Sequence, residues 1–152
     1  MFGLFKKEEF KIVAPVEGEL IPLSEVGDGM FSEKMMGDGF AVIPADGMVC
    51  APISGTAESV FPTGHAVGIS TTDGIECILH IGLDTVNLNG EGFEPLIRQG
   101  DKVKAGQPVV KVDRDLLVEK GYNVVTMVVF ASGYDHAFDL GHRNVTAGER
   151  LV

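Results

Sequence analysis

The sequence predicts an all-β fold: an antiparallel β-sandwich or flattened barrel with one or two short helical turns. The 152 residues include 20 glycines and 7 prolines. Short runs rich in Val, Ile and Phe lie between these residues, a spacing typical of many short strands joined by tight turns. Two short patterns each occur twice, which indicates a duplicated motif, with two similar β units packed into one domain.

Length and composition limit the classes of function. With 45% hydrophobic and 22% charged residues, the chain is too apolar for a disordered protein and long enough for one core. No apolar run approaches the roughly 20 residues of a membrane-spanning helix. A net charge of -10 would repel phosphates, so we expect no nucleic-acid partner and favour a basic protein partner.

The predicted organisation is a flexible N-terminal tail, residues 1–9, followed by one domain, residues 10–152. The tail is apolar and then basic, with too few apolar residues for strong membrane contact. Cys50 and Cys77 lie in apolar runs, and no secretory signal precedes them. We therefore expect buried thiols in a cytoplasmic protein rather than a disulfide.

The repeats and helices follow from turn and capping signals. An Ala-Pro pattern at residues 14–18 recurs at residues 51–55, and an Ala-Gly pattern at residues 103–110 recurs at residues 145–152. Each combines a turn signal with extended apolar residues. Helix is predicted for residues 94–99 and for residues 113–120. The second of these has Asp113 as its N-cap and Gly121 after its last turn.

A predicted hairpin carries two histidines. Two strand-like runs flank an Asp-Gly turn signal. If Ser70 pairs with Ile75, His65 lies directly opposite His80, with Cβ atoms roughly 4.5 to 5.5 Å apart. Two adjacent imidazolium charges would repel, and two buried neutral rings would each need a partner. The pairing therefore favours a functional site over coincidence.

The same register assigns the neighbouring side chains to faces. It places Val67 against Ile78 beside the histidines, whereas Cys77 and Leu79 point into the core. If the second strand continues past His80, alternation brings Asp84 and Val86 to the histidine face. Thr63, two residues before His65, brings a hydroxyl within reach of the same face.

A segment rich in methionine lies between Gly-Asp-Gly turns at residues 30–36. Its large side chains are typical of core, and methionine and phenylalanine are also typical of adaptable docking surfaces, so both interpretations stay open. The apolar residues expected around the histidines are Met30, Phe31, Met35, Met36, Phe61, Val67, Ile78 and Val86.

Together these segments resemble the glucose-type enzyme IIA component of the bacterial phosphoenolpyruvate-dependent sugar phosphotransferase system. The resemblance covers essentially the whole chain. It rests on Ala14-Pro15, Phe31-Ser32-Glu33-Lys34, Gly37-Asp38-Gly39, Ala51-Pro52, Thr63-Gly64-His65-Ala66, Leu79-His80-Ile81-Gly82-Leu83-Asp84-Thr85-Val86 and Gly90-Glu91-Gly92-Phe93.

The resemblance implies a phosphoryl relay that requires no metal or cofactor. His80 matches the histidine that accepts a phosphoryl group from the carrier protein HPr and passes it to the IIB domain of a sugar permease. His65 matches the histidine that supports the phosphoryl group, and Thr63 the residue that orients it. Asp28 and Asp84 match rim carboxylates that meet basic residues of HPr. The implied docking surface comprises Met30, Phe31, Met35, Met36, Phe61, Ile78 and Val86.

The chemistry of the residues agrees with this implication. A nucleophilic imidazole must be neutral, with one nitrogen free to attack and the other held as a donor. We expect apolar neighbours to lower the proton affinity of His80 and a carbonyl near Gly82 to hold its proton. The implied location is cytoplasmic, with transient contact at the membrane through the permease. Whether other target proteins are regulated stays open.

Two other classes of protein share parts of this pattern. A zinc hydrolase would use His80 and Asp84 as part of a metal motif, but the H-x-H pair that supplies the remaining groups is missing. His136 and His142 are expected to be solvated. A zinc ion shared by His65, His80 and a partner's carboxylate remains an alternative. A lipoate or biotin carrier would need an exposed lysine at a hairpin tip, and Lys34 is the nearest match.

Overall fold

The computed structural model describes residues 9–152, apart from the side chain of Met30. The predicted tail at residues 1–9 therefore lies almost wholly outside the described residues. The strands are β1 Gly18–Pro22, β2 Asp38–Pro44, β3 Met48–Cys50, β4 Gly55–Val60, β5 Ala66–Ser70, β6 Glu76–Ile81, β7 Phe93–Pro95, β8 Lys102–Val103, β9 Pro108–Val112, β10 Thr126–Ser132 and β11 Arg143–Val145. The helices are α1 Gly29–Ser32 and α2 Arg114–Glu119, with 3-10 turns at Leu23–Glu25 and Thr85–Leu88.

Two sheets form the predicted sandwich. The larger has eight strands in the order β11-β1-β2-β10-β6-β5-β4-β8, and the smaller has three in the order β3-β9-β7. All the strand pairs are antiparallel. The large sheet ends at β11 and β8 and does not close into a barrel over the described range. The all-β prediction is therefore confirmed, as a sandwich.

The backbone shows the predicted duplication. Gly18 pairs with Val145 in one unit as Gly55 pairs with Val103 in the other. The two units also exchange hydrogen bonds, because Val13 N–H donates to Pro52 O at 2.9 Å and Cys50 N–H donates to Pro15 O at 2.6 Å. The strand order of the large sheet is symmetric about the β10-β6 pair. On one side lie β2, β1 and β11, and on the other side lie β5, β4 and β8.

The core lies between the two sheets. Alternate residues of the central strands, such as Phe40, Leu79 and Val128, are at most 1% exposed and pack against Val110 of the small sheet. Both cysteines are buried free thiols, as predicted. Burial raises the pKa of both, with the nearby Asp46 carboxylate adding to the shift of Cys50.

A second apolar cluster covers part of the other face of the large sheet. The segment after β1 folds back across the sheet and buries Leu23, Val26 and Phe31 against Met127 and Val129 of β10. Ile78 and His80 of β6 pair with Val129 and Met127, so they share this face. The face is covered over β1, β2 and β10 and becomes more open at β6, where Ile78 and His80 are half-buried.

The two helix predictions had different outcomes. α2 is as predicted: the Asp113 side chain accepts a hydrogen bond from Leu116 N–H, and Gly121 follows with φ +86°. The helix predicted at residues 94–99 is wrong, because Phe93–Pro95 is strand β7 and pairs with β9. Neither helix of residues 9–152 has the length and hydropathy needed to cross a membrane.

Candidate functional site

The hairpin that carries the histidines has a different register from the predicted one. Ser70 pairs with Glu76 rather than with Ile75, so Ala66, and not His65, lies opposite His80. The cause is the turn: Thr71 N–H donates to Ile75 O at 3.0 Å, which extends the pairing by one residue on that side. The loop then has three residues and ends at a glycine with positive φ, as in a type I turn followed by a bulge.

This register moves one predicted neighbour to the other face. Val67 pairs with Leu79, and both are fully buried in the core, so Val67 does not lie beside the histidines as predicted. Ile78 and His80 do share a face, opposite the small residues Gly68 and Ala66. The position above Gly68 is filled by Ser59, whose Oγ lies 2.5 Å from the point where a Cβ would be.

His65 reaches the face of His80 because it lies before β5, in a bend that follows Gly64 with φ +75°. Regular alternation would direct His65 to the core face along with Val67. Instead its ring lies 5.3 Å from the ring of His80, with an interplanar angle of 80°. The backbone stays attached to β6, because Ile81 N–H donates to His65 O at 2.7 Å.

The tautomer of neutral His80 follows from one hydrogen bond. Its Nδ1 lies 2.9 Å from the carbonyl oxygen of Gly82, the acceptor expected from the sequence. A carbonyl can only accept, so Nδ1 carries the proton and Nε2 carries the lone pair. The nucleophilic nitrogen of this imidazole is therefore Nε2.

His65 is held by a side chain and an aromatic ring. The side chain is only 5% exposed. Its Nδ1 lies 2.5 Å from the Thr63 hydroxyl oxygen. The ring of Phe61 approaches edge-on at 5.1 Å, with an interplanar angle of 71°. His80 has a corresponding aromatic neighbour, Phe31, at 5.1 Å. Each imidazole thus has one polar anchor and one aromatic neighbour.

Burial keeps both imidazoles neutral near pH 7. It lowers the pKa of His65 below the ordinary 6.5. It also lowers the pKa of His80, with His65 as the second cause. The Gly82 carbonyl and the carboxylates of Asp28 and Asp84 act in the opposite direction on His80, without reversing the shift. A neutral ring is the form that can act as a nucleophile.

Asp84 reaches the rim of the site by another route than the predicted strand alternation. β6 ends at Ile81, and Asp84 has φ +60° at the start of the 3-10 turn Thr85–Leu88. Asp84 is exposed and Asp28 is half-buried. Their effect on the pKa of His80 places both carboxylates within electrostatic range of the imidazole.

The residues predicted to dock a partner differ in exposure. Met35, Phe61 and Val86 are 70%, 47% and 49% exposed, respectively. Met36 and Ile78 are half-buried. Phe31 is only 6% exposed and belongs to the second apolar cluster. It therefore presents little surface to a partner, although it contacts His80. The side chain of Met30 lies outside the described part of the structure.

The other two histidines are remote from any metal motif. His136 is exposed and packs edge-on against Tyr134, as expected of a solvated residue. His142 is half exposed and pairs with Glu25 at 2.7 Å, which raises its pKa. Within residues 9–152, no three His, Cys, Asp or Glu side chains are grouped so as to hold a metal ion. The shared zinc ion stays a prediction.

Comparison with known proteins adds to this geometry. A family model described as the phosphoenolpyruvate-dependent sugar phosphotransferase system, EIIA 1, matches residues 10–135. The chain belongs to this family. It is 48% identical over 137 residues to the glucose-specific EIIA component of Halalkalibacterium halodurans, covering 85% of this chain and 79% of that relative. The resemblance read from the sequence is therefore confirmed.

A solved structure and longer relatives extend the comparison. The glucose permease IIA of Mycoplasma capricolum matches with a TM-score of 0.89 and 38% identity, over 95% of each chain. The glucose-specific EIICBA component of Staphylococcus saprophyticus is 41% identical over 147 residues, which is 97% of this chain and 22% of that protein. The chain thus spans about a fifth of the length of the EIICBA relatives it matches.

Sequence reasoning missed one residue that shapes the site and left the place of another open. Phe31 was open between core and docking surface, and its ring packs on His80 from within the second cluster. Thr85 was not singled out, and it is a fully buried polar residue beside Gly82. A threonine three residues after the acceptor glycine was the signal available for Thr85. The cover over Phe31 depends on how residues 23–36 fold, which no local pattern specifies.

Proposed function

We propose that this protein is a phosphoryl carrier of the sugar phosphotransferase system. It accepts a phosphoryl group from phospho-HPr on Nε2 of His80 and passes it to the IIB domain of a glucose-type permease. The observation that carries the proposal is the bond from His80 Nδ1 to Gly82 O, which leaves an unprotonated Nε2 beside His65. Membership of the EIIA family supports the same relay.

The transfer is balanced without a change of protonation at His80. The lone pair of Nε2 forms a bond to phosphorus, and the bond from phosphorus to the donor atom of HPr breaks with its electron pair returning to the donor. The proton stays on Nδ1 of His80 throughout, donated to the Gly82 carbonyl oxygen. Passage to IIB repeats the exchange, with His80 as the leaving group. The step requires no metal ion or cofactor.

His65 is proposed to stabilise the phosphoryl group. If the Thr63 hydroxyl donates to Nδ1, the proton of neutral His65 lies on Nε2, and that N–H is free to donate. The transition state spreads negative charge over the phosphoryl oxygens, so a fixed donor beside His80 lowers the barrier. Thr63 then acts by fixing the tautomer and orientation of the second ring.

The rim suits a partner that must bind and leave quickly. The exposed side chains of Met35, Phe61 and Val86 provide adaptable apolar contact. The carboxylates of Asp28 and Asp84, within a net charge of -10, attract a basic surface. We propose HPr and IIB as the occupants of this surface in turn. The proposed location is the cytoplasm, with transient contact at the membrane through the permease.

Intact mass spectrometry tests the acceptor. Incubation with phosphoenolpyruvate, enzyme I and HPr should add one phosphoryl group to the wild-type protein and none to His80→Ala. The adduct should be labile in acid and stable in base, as phosphohistidine is. Ser54→Ala serves as a control for the loss of a half-buried polar group away from His80. An unmodified wild-type mass while HPr turns over, or an adduct on His80→Ala, would refute the proposal.

His65→Gln tests the supporting role. An amide can provide one N–H donor but cannot shift protons, so the variant should still accept a phosphoryl group from HPr. Its transfer to IIB should be slower by roughly a hundredfold, the scale of a positioned acid-base group. Quench-flow measurement of the two half-reactions separates them. Transfer to IIB at the wild-type rate would remove His65 from the relay.

A further inference from the structure

The Gly82 carbonyl, which accepts the hydrogen bond from His80 Nδ1, belongs to a backbone turn that several other hydrogen bonds also hold in place. β6 ends at Ile81, and the chain reverses at Gly82, whose φ is +76°. Gly82 N–H donates to Val125 O at 2.8 Å, and Leu83 N–H donates to Asn123 O at 3.0 Å. The segment before β10 therefore holds two successive peptide groups of the turn from one side.

Thr85 holds the turn from the other side with both branches of its side chain. Its hydroxyl donates to Ile81 O at 2.5 Å. Its methyl carbon lies 2.5 Å from the point where a Cβ on Gly82 would be, so the methyl group packs on the Cα of that glycine. Thr85 is 0% exposed, and no buried side-chain polar atom of the described residues lacks a hydrogen-bond partner.

Ile81, which accepts the hydrogen bond from Thr85, is linked through the backbone to both histidines. Ile81, whose carbonyl accepts from Thr85, donates its own N–H to His65 O at 2.7 Å. The next carbonyl along the chain is that of Gly82, which accepts from His80 Nδ1 at 2.9 Å. A rotation of the Ile81–Gly82 peptide would change the dihedral angles of Ile81 and Gly82. It would thereby displace the two adjoining peptides, which carry the Gly82 carbonyl that accepts from His80 and the Ile81 N–H that donates to His65 O.

We propose that Thr85 is a positioning residue for phosphoryl transfer, which fixes the Ile81–Gly82 peptide so that the Gly82 carbonyl selects the Nδ1–H tautomer of His80. This inference rests on the proposed function, because the tautomer matters for transfer only if Nε2 is the acceptor. Thr85 touches no reacting atom and acts through the backbone. Without its hydroxyl, Ile81 O loses its buried donor and the turn gains freedom.

The test is the tautomer of His80, read from the ¹⁵N chemical shifts of its ring in the unphosphorylated protein near pH 8. Thr85→Val removes the hydroxyl and keeps the shape. It should convert a single Nδ1–H form into a mixture of the two tautomers. The rate of acceptance from phospho-HPr should fall roughly tenfold, the factor expected for one lost buried hydrogen bond. Thr85→Ser keeps the hydroxyl and should restore the tautomer and most of the rate.

Ser54→Ala is the control. Ser54 is half-buried, and its hydroxyl oxygen accepts a hydrogen bond from Ala105 N–H at 2.9 Å, so a hydroxyl bonded to the backbone is lost away from Gly82. This variant should keep the wild-type tautomer and rate, even if its stability falls as much as that of Thr85→Val. If Thr85→Val gives no folded resonances, Thr85→Ala removes the same hydroxyl and takes its place.

The two proposals fail in different ways. A wild-type tautomer and rate in Thr85→Val or its replacement would make Thr85 merely structural and would overturn this inference. A mixed tautomer in Ser54→Ala as well would do the same, because the effect would then follow the loss of any hydroxyl bonded to the backbone. Failure of wild-type His80 to accept a phosphoryl group would refute the proposed function, whereas the tautomer measurement needs no phosphoryl donor.

Discussion

Leu79 and His80 are neighbours in β6, yet they lie in different surroundings. Leu79 is 0% exposed between the two sheets, whereas His80 is half-buried on the opposite face. The core face is covered by the small sheet and contains apolar residues from both sheets. In the described part of the chain, the segment that carries Leu23, Val26 and Phe31 covers the histidine face over β10, and this cover is incomplete at β6.

The comparison shows how one strand serves both stability and chemistry. The core face requires close packing, so its residues tolerate little change. The histidine face requires a polar ring that is dry enough to stay neutral and open enough to meet a partner. Partial cover by Phe31 meets both conditions, because it removes water from one side of His80 and leaves another side accessible.

The largest expected effect separates the two faces at adjacent residues. His80→Ala should abolish phosphoryl acceptance and change the free energy of unfolding by less than about 1 kcal/mol, because the ring is only half-buried. Leu79→Ala should cost about 2 to 5 kcal/mol and keep acceptance in its folded fraction. Urea unfolding and intact mass on the same samples measure both. Equal stability losses would contradict the division between the faces.

Phe31→Ala should lower the free energy of unfolding by about 3 kcal/mol, as for a buried aromatic residue. Its loss should also raise the pKa of His80 toward 6.5, because burial is the main cause of the lowering. Phe61→Ala is the control, since Phe61 packs on His65 at the same 5.1 Å but is 47% exposed. Unchanged stability with faster dissociation of HPr would instead make Phe31 part of the docking surface.

The rim carboxylates should affect the rate of encounter. Asp28→Asn combined with Asp84→Asn should slow association with HPr by roughly tenfold at low ionic strength and flatten its salt dependence. The same variant should lower the pKa of His80 further, because both charges raise it. Asp115→Asn with Glu119→Gln in α2 changes the net charge equally. If this control slows association as much, steering depends on total charge and not on the rim.

The smallest expected effect is the change in the free energy of unfolding with pH. It has one sign for the histidines of the site and the opposite sign for His142. The lowered pKa values of His65 and His80 mean that the folded state binds fewer protons than the unfolded chain just below pH 6.5. Their contribution to stability is complete above pH 6.5 and is lost as the pH falls from 6.5 through the lowered values.

His142 behaves in the opposite way. Its pairing with Glu25 raises its pKa, so its contribution is complete below pH 6.5 and is lost as the pH rises through the raised value. An NMR titration should therefore show His142 protonated before His65 and His80 as the pH falls. Glu25→Gln should abolish the raised value and leave the site unchanged. Titration of His80 before His142 would contradict the assignment.

The duplicated sandwich could be predicted from the sequence because glycine and proline mark the same turns in each unit. The Ala-Pro and Ala-Gly patterns correspond to equivalent backbone pairs in the structure. The helix at residues 94–99 could not be excluded locally. Strand pairing of Glu94 with Lys111 and of Pro95 with Val110 overrides the helical preference of that segment.

Most of the residues of the site could be predicted from the sequence, but their exact arrangement could not. The Asp73-Gly74 signal fixed the position of the hairpin turn and left its loop length open by one residue. The main-chain bond from Thr71 to Ile75 decided that length. Alternation from the corrected register would send His65 into the core, and only the bend after Gly64 returns it to His80. The bend thus offsets the one-residue shift in register, and its geometry depends on tertiary contacts that no local pattern specifies.

The symmetric order of the large sheet affects the order in which the two β units can be completed during synthesis. One unit takes β4, β5, β6 and β8 from a continuous stretch of chain, whereas the other joins β1 and β2 to β10 and β11. As the ribosome extends the chain, β5 and β6 can pair with each other and with β4 before β11, a pairing partner of β1, has been synthesised. The unit that begins first is therefore the one that is completed last.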